Sequence, residues 1–346
     1  MKNHFFQKIG YQKKKGFDSY SKNAGDIISF YYLKHPELSP EYKKPTPLTR
    51  TEIDTILTGH SPGLNTPFEK YIVAFLFAMA DRHDEAEKYF LSCIESLDNS
   101  LSSAVNTTFI KLQLAQLYER KGDIPRALST LRKVYFRFNG DAELMGTINN
   151  FYASCCVSIG LIYFRAYKNN NIAGNLFARS IHVRLKYRSN YPPLVCENYL
   201  ATAYRYLAVA YGDKKIDRYV NFKTAYDLRA WLIGKTRDEF TKLEFLNLSV
   251  DLIHFLISEN YNAKYINKFT NRLFKTIFSL NHDSKKESKN TLVQVGLMVS
   301  KYYFIGNDPD KFYKWYTLIK QFKHMFQMEF DESFLNSEEI FLLLKP

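Results

Sequence analysis

The chain has 346 residues, a net charge of +13, and 46% hydrophobic against 24% charged residues. With 28 Phe and 26 Tyr, it carries enough apolar surface to order a large core, which excludes a wholly disordered chain. Its longest apolar run, 71–80, is about half the roughly 20 residues that a membrane-spanning helix needs, so no membrane insertion is expected.

The first 66 residues read as an irregular, basic, proline-containing N-terminal cap. The basic start, through Lys15, leads into Gly16, Phe17, Asp18 and then Asp26 rather than into the uninterrupted apolar stretch of a secretory signal. A helix is predicted near 26–34, followed by a crossing rich in proline (Pro36, Pro40, Pro45, Pro47). Thr49-Arg50-Thr51-Glu52 resembles a capping box that opens a short helix ended by Gly59, and Thr66-Pro67-Phe68-Glu69 makes a second box with proline at the first helical position.

From residue 67 the apolar residues fall at helical spacing. Val73, Ala74 and Phe77 are followed by a polar turn at Asp81-Arg82-His83-Asp84 and then by Ala86, Phe90 and Cys93, which predicts two antiparallel helices. The pattern returns in register as Leu114, Ala115 and Tyr118, a turn at Lys121-Gly122-Asp123, then Ala127, Leu131 and Val134. Small residues on facing helices allow close approach, and the large residues beside them fill the remaining space. Gly122 is suited to the left-handed conformation that ends a helix, and Asp123 to capping the next. A third copy reads Ile159, Gly160 and Tyr163, then Ala173, Phe177 and Ser180, with one extra residue in the turn at Asn169-Asn170-Asn171. A fourth begins at Leu207, Ala208 and Tyr211, but its second helix, 219–234, keeps the pattern poorly.

These small and large positions resemble the tetratricopeptide repeat (TPR) family, whose unit is about 34 residues. The spacing between copies is longer here, Lys70 and Lys111 stand where the family has an aromatic residue, and Asp98 and Asn139 stand in place of its closing proline. The resemblance implies an all-α fold: a right-handed α-solenoid of TPR-like hairpins over 67–235, followed by degenerate helical repeats and a C-terminal cap over 236–346. In that last region 246–277 and 292–322 are the candidate hairpins, the second with a turn at Gly306-Asn307-Asp308-Pro309, and 281–290 is a polar loop.

The chemistry-bearing residues point away from catalysis. Gly59-His60-Ser61-Pro62-Gly63 spells a nucleophile elbow, but Pro62 has no N–H for the oxyanion hole. Gly234-Lys235-Thr236 imitates the end of a phosphate loop, yet Arg229 occupies the earlier glycine position, so it reads as a helix end. The histidines form no metal-ligand spacing, and no enzyme activity, cofactor or metal is expected. Cys93, Cys155, Cys156 and Cys196 lie in apolar helical segments without paired spacing, which favours burial in a reducing, cytoplasmic compartment.

In tetratricopeptide proteins the first helix of each hairpin lines a concave groove, which implies Phe109, Leu112, Gln116, Leu161, Arg165, Thr202 and Arg205 as partner-binding residues here. The expected function is a protein–protein interaction scaffold for a protein segment or peptide, with Arg165 and Arg205 as anchors for acidic groups. The alternative is nucleic-acid binding through the basic tail and centre, with Arg179, Arg184, Lys186 and Arg188 as the anion-binding residues.

Overall fold

The computed structural model describes residues 67–97, 101–139, 142–191, 193–212, 214–236 and 239–281, with parts of 293–326. The N-terminal cap with its Gly59–Gly63 motif, and nearly all of the loop expected at 281–290, lie outside the described residues. Among those residues every regular element is helical, and the chain divides into two units, 1–214 and 215–346.

Unit one contains α1 (Pro67–Met79), α2 (His83–Glu95), α3 (Leu101–Arg120), α4 (Ile124–Asn139), α5 (Ala142–Arg165), α6 (Asn170–Lys186) and α7 (Pro193–Ala210). The pairs α1/α2, α3/α4 and α5/α6 are antiparallel hairpins, and α7 packs on α6. Each hairpin turns at one left-handed residue: Asp81 (φ 60°), Gly122 (φ 76°) and Lys168 (φ 52°). The next residue's amide returns to the closing helix, Arg82 N to Phe77 O at 2.9 Å and Asp123 N to Tyr118 O at 2.8 Å, which satisfies carbonyls that the helix end leaves open. In the third, longer turn Asn169 N reaches Tyr163 O at 2.9 Å. In the second and third hairpins the same residue's side chain caps the following helix, since Asp123 Oδ1 accepts from Arg126 N (3.1 Å) and Asn169 Oδ1 from Ile172 N (3.0 Å).

The small positions are where the sequence places them. Ala74, Ala86, Ala115, Ala127 and Ala173 are fully buried, flanked by buried Phe77, Phe90, Tyr118, Leu131 and Phe177. Gly160 takes the same role on α5, where a Cβ would stand 2.6 Å from Phe177 Cε1. Between the first two hairpins Glu87 accepts from Tyr118 Oη (3.0 Å), Lys121 Nζ (2.8 Å) and Arg126 Nη1 (3.0 Å). All four cysteines are buried free thiols, and burial pushes those of Cys93 and Cys156 up to about 12.

Unit two contains α8 (Lys215–Thr236), α9 (Glu239–Ser258), α10 (Ala263–Ser279) and α11 (Pro309–Phe326). The helix expected to complete the fourth hairpin is therefore the first of this unit, because its aromatic face has its partners there: Tyr226 meets Phe245 and Phe269 at 4.8 Å each, and Phe222 meets Phe255 at 5.4 Å. Gly234, Lys235 and Thr236 are the last residues of α8, a helix end as read. The candidate repeat at 246–277 is the hairpin α9/α10. Asp308 caps α11 by accepting from Lys311 N at 3.2 Å, and Pro309 is its first residue. A Cβ on Gly296 would lie 2.6 Å from Ile319 Cγ1, the same small-against-large approach as Gly160 on Phe177. No described helix is long and apolar enough to cross a membrane.

Candidate functional site

The first helices of unit one touch in succession, α3 on α5 and α5 on α7, and a cleft of about 60 Å³ opens among them. Helix α3 contributes Phe109, Leu112, Gln113 and Gln116, α5 contributes Phe151, Ser154 and Ser158, and α7 contributes Tyr199. Steps of three and four residues put each set on one helix face. Phe109 and Phe151 pack ring to ring at 5.5 Å and form the apolar wall with Leu112. Glutamine amides and serine hydroxyls supply the polar part.

Three of the partner-binding residues inferred from sequence, Phe109, Leu112 and Gln116, therefore line the cleft. The other four stand outside it. Leu161 is half-buried and Arg165 exposed, one and two turns further along the α5 face that carries Ser154 and Ser158. Arg165 acts on Glu119, a carboxyl that burial raises above its ordinary range and that the arginine's charge partly restores. Thr202 donates its hydroxyl to Asn198 O at 3.0 Å, and Arg205 is half-buried. Sequence reasoning missed Gln113, Phe151, Ser154, Ser158 and Tyr199. Their signal was the same ladder of three- and four-residue steps, extended to neutral polar side chains.

The basic segment 179–188, which runs from α6 into the turn after it, is not a uniform solvated face. Arg179 and Lys186 are exposed, Arg179 over the rings of Tyr135 (5.4 Å) and Tyr152 (5.5 Å) and Lys186 over Tyr187 (5.2 Å). Arg188 donates from Nε to the buried carboxylate of Glu197 at 2.6 Å. Arg184, expected to meet anions at the surface, is 2% exposed. It lies seven residues after Phe177 on the face that packs against α5, so its guanidinium turns inward. Its Nε donates to Asn150 Oδ1 (3.0 Å), its Nη1 to Ser180 Oγ and its Nη2 to Ser154 Oγ (3.0 Å), and its Cζ sits 5.1 Å from the centre of the Tyr199 ring. Burial brings this guanidinium down to about 10, which leaves it charged at neutral pH.

No protein-family model and no curated protein matches the chain. Among solved structures it is similar to BtubC (BKLC) from P. vanneervenii, with 13% identity over 75% of this chain and 88% of that one, at a TM-score of 0.50. It is also similar to the C-terminal part of a TPR repeat-containing protein from Cytophaga hutchinsonii (11% identity, 92% of this chain, 99% of that one, TM-score 0.44). The apo form of RapI gives 12% identity over 87% of this chain and 97% of that one, at 0.45. The fold is that of a TPR-like helical-repeat protein. Its small-on-large hairpin packing and the succession of first helices carry that likeness.

Proposed function

We propose that this TPR-like chain is a non-catalytic scaffold that binds a segment of another protein in the cleft on α3, α5 and α7. The observation that carries the reading is the cleft itself, an apolar wall of Phe109, Leu112 and Phe151 beside polar groups such as Gln113 and Ser158, on the helices that face one side of the hairpin stack. The basic segment favours a nucleic-acid ligand less, since Arg184 and Arg188 are committed to internal partners. A reducing cytoplasm is the proposed compartment, supported by four buried free thiols.

Gln113 lines the cleft and is half-buried, so Gln113→Trp fills the space without replacing a core residue. A partner co-purified with the wild-type chain is expected to be lost from Gln113→Trp while the thermal midpoint stays unchanged, and its retention at about 0.5 M salt is expected because apolar contacts dominate. A partner that survives the substitution, or a nucleic acid whose affinity falls steeply with salt, overturns the reading.

A further inference from the structure

Arg184 is a buried cation held by neutral groups alone. Its three hydrogen-bond acceptors are an amide oxygen and two hydroxyls, and among the described residues no carboxylate pairs with it. Neutral acceptors satisfy the N–H groups but leave uncompensated most of the electrostatic cost of taking the charge out of water. Two of the side chains around it, Ser154 and Tyr199, also line the cleft, so the charge lies directly behind the cleft wall.

That position polarises the wall. Ser154 Oγ already accepts from Arg184, so its own O–H is left to donate, and no described acceptor takes it. Gln113 and Ser158, on the same cleft, have no hydrogen-bond partner among the described residues. The site offers donors backed by a positive charge, beside three apolar side chains, in a volume of about 60 Å³ that admits one side chain rather than a helix. A ligand group that matches has a negative oxygen end on a short apolar stem.

We propose that the cleft takes the side chain of a glutamate from the partner segment, its methylenes against Phe109, Leu112 and Phe151 and its carboxylate on Ser154 and Gln113, with Arg184 supplying the charge from behind. This rests on the scaffold reading and names the chemistry of its partner. A carboxylate brought up to Ser154 compensates Arg184 through a shared hydroxyl, which a neutral amide of the same shape does not do.

The test uses the full chain and random 12-residue peptides, acetylated and amidated so that no chain-terminal carboxylate is present. The tightest binders are measured with each glutamate changed in turn to glutamine, against wild type, Ser154→Ala and Gln113→Trp. One glutamate is expected to stand out, its change weakening wild-type binding at least tenfold, while Ser154→Ala removes most of that discrimination and Gln113→Trp abolishes binding of both forms. Peptides lost on Gln113→Trp but indifferent to every glutamate change, within twofold, overturn the carboxylate proposal and leave the scaffold reading standing. Discrimination undiminished in Ser154→Ala overturns it too, since the protein's overall positive charge then explains the preference. Peptides that ignore Gln113→Trp, or a selection that yields none, overturn the scaffold reading and the proposal with it. Should Ser154→Ala fail to fold, Gln113→Leu gives the same readout from the other donor.

Discussion

At Gly160 a missing methyl group decides how closely two helices approach. Its Cβ position lies 2.6 Å from the Phe177 ring, so Gly160→Ala is expected to overpack the α5/α6 hairpin and cost about 1–3 kcal/mol. Adding Phe177→Leu should return part of that loss, and a double-mutant cycle of thermal unfolding in which the two costs simply add would show that the contact is not the cause. Glu119 makes a different residue-scale prediction. Burial raises its carboxyl above the ordinary value, so the stability it contributes is complete below the unfolded-state value and is lost as pH rises through the folded-state value. Glu119→Gln is therefore expected to gain stability relative to wild type in urea titrations as pH rises past the ordinary carboxylate value, and Arg165→Ala to lose it over the same rise, since the arginine's charge opposes the upward shift. Arg184 shows how a residue's position outranks its type. An arginine near a helix C-terminus reads as solvated, yet its seven-residue offset from Phe177 marks it as inward-facing, and that periodicity was present in the sequence.

Helices in this chain were legible where their ends carry chemistry of their own. The turn at Lys121-Gly122-Asp123 declared itself because a left-handed glycine and a capping aspartate have few other uses in such a position, and both are found in those roles. Asp123→Ala is expected to destabilise the α3/α4 hairpin by about 1 kcal/mol through loss of the cap, with Asp123→Asn recovering most of it in chemical denaturation. Helix α8 was poorly legible for a physical reason. Its aromatic residues Phe222 and Tyr226 meet large aromatics on α9 and α10, and such contacts need no small residue to let the backbones approach. The repeat pattern that marks the earlier hairpins is consequently absent there. Phe109, Leu112 and Gln116 of the cleft followed from the resemblance, which assigns the groove to the first helix of each hairpin, whereas Ser154 and Tyr199 gain meaning only when α3, α5 and α7 are brought together and a buried guanidinium lies behind them.

Across the whole molecule, the hairpins of unit one form a succession in which each first helix meets the next, and α8 to α11 belong to the second unit. In such an array stability is shared mainly between neighbours, so different hairpins can open with different free energies. The four thiols are placed to time those openings. Cys93 belongs to the first hairpin, Cys155 and Cys156 to the third and Cys196 to α7, all in unit one, and each is sealed from solvent as an un-ionised thiol. A thiol reagent added to the native protein can then react only during an opening event, and variants that keep one cysteine report one station along the chain. Labelling rates are expected to differ between Cys93 and Cys155 and to fall together when a cleft-binding peptide is added, with Cys155 slowed most because it lies on a helix that lines the cleft. Native labelling would thus work as a stopwatch for ligand engagement, built from side chains that take no part in binding.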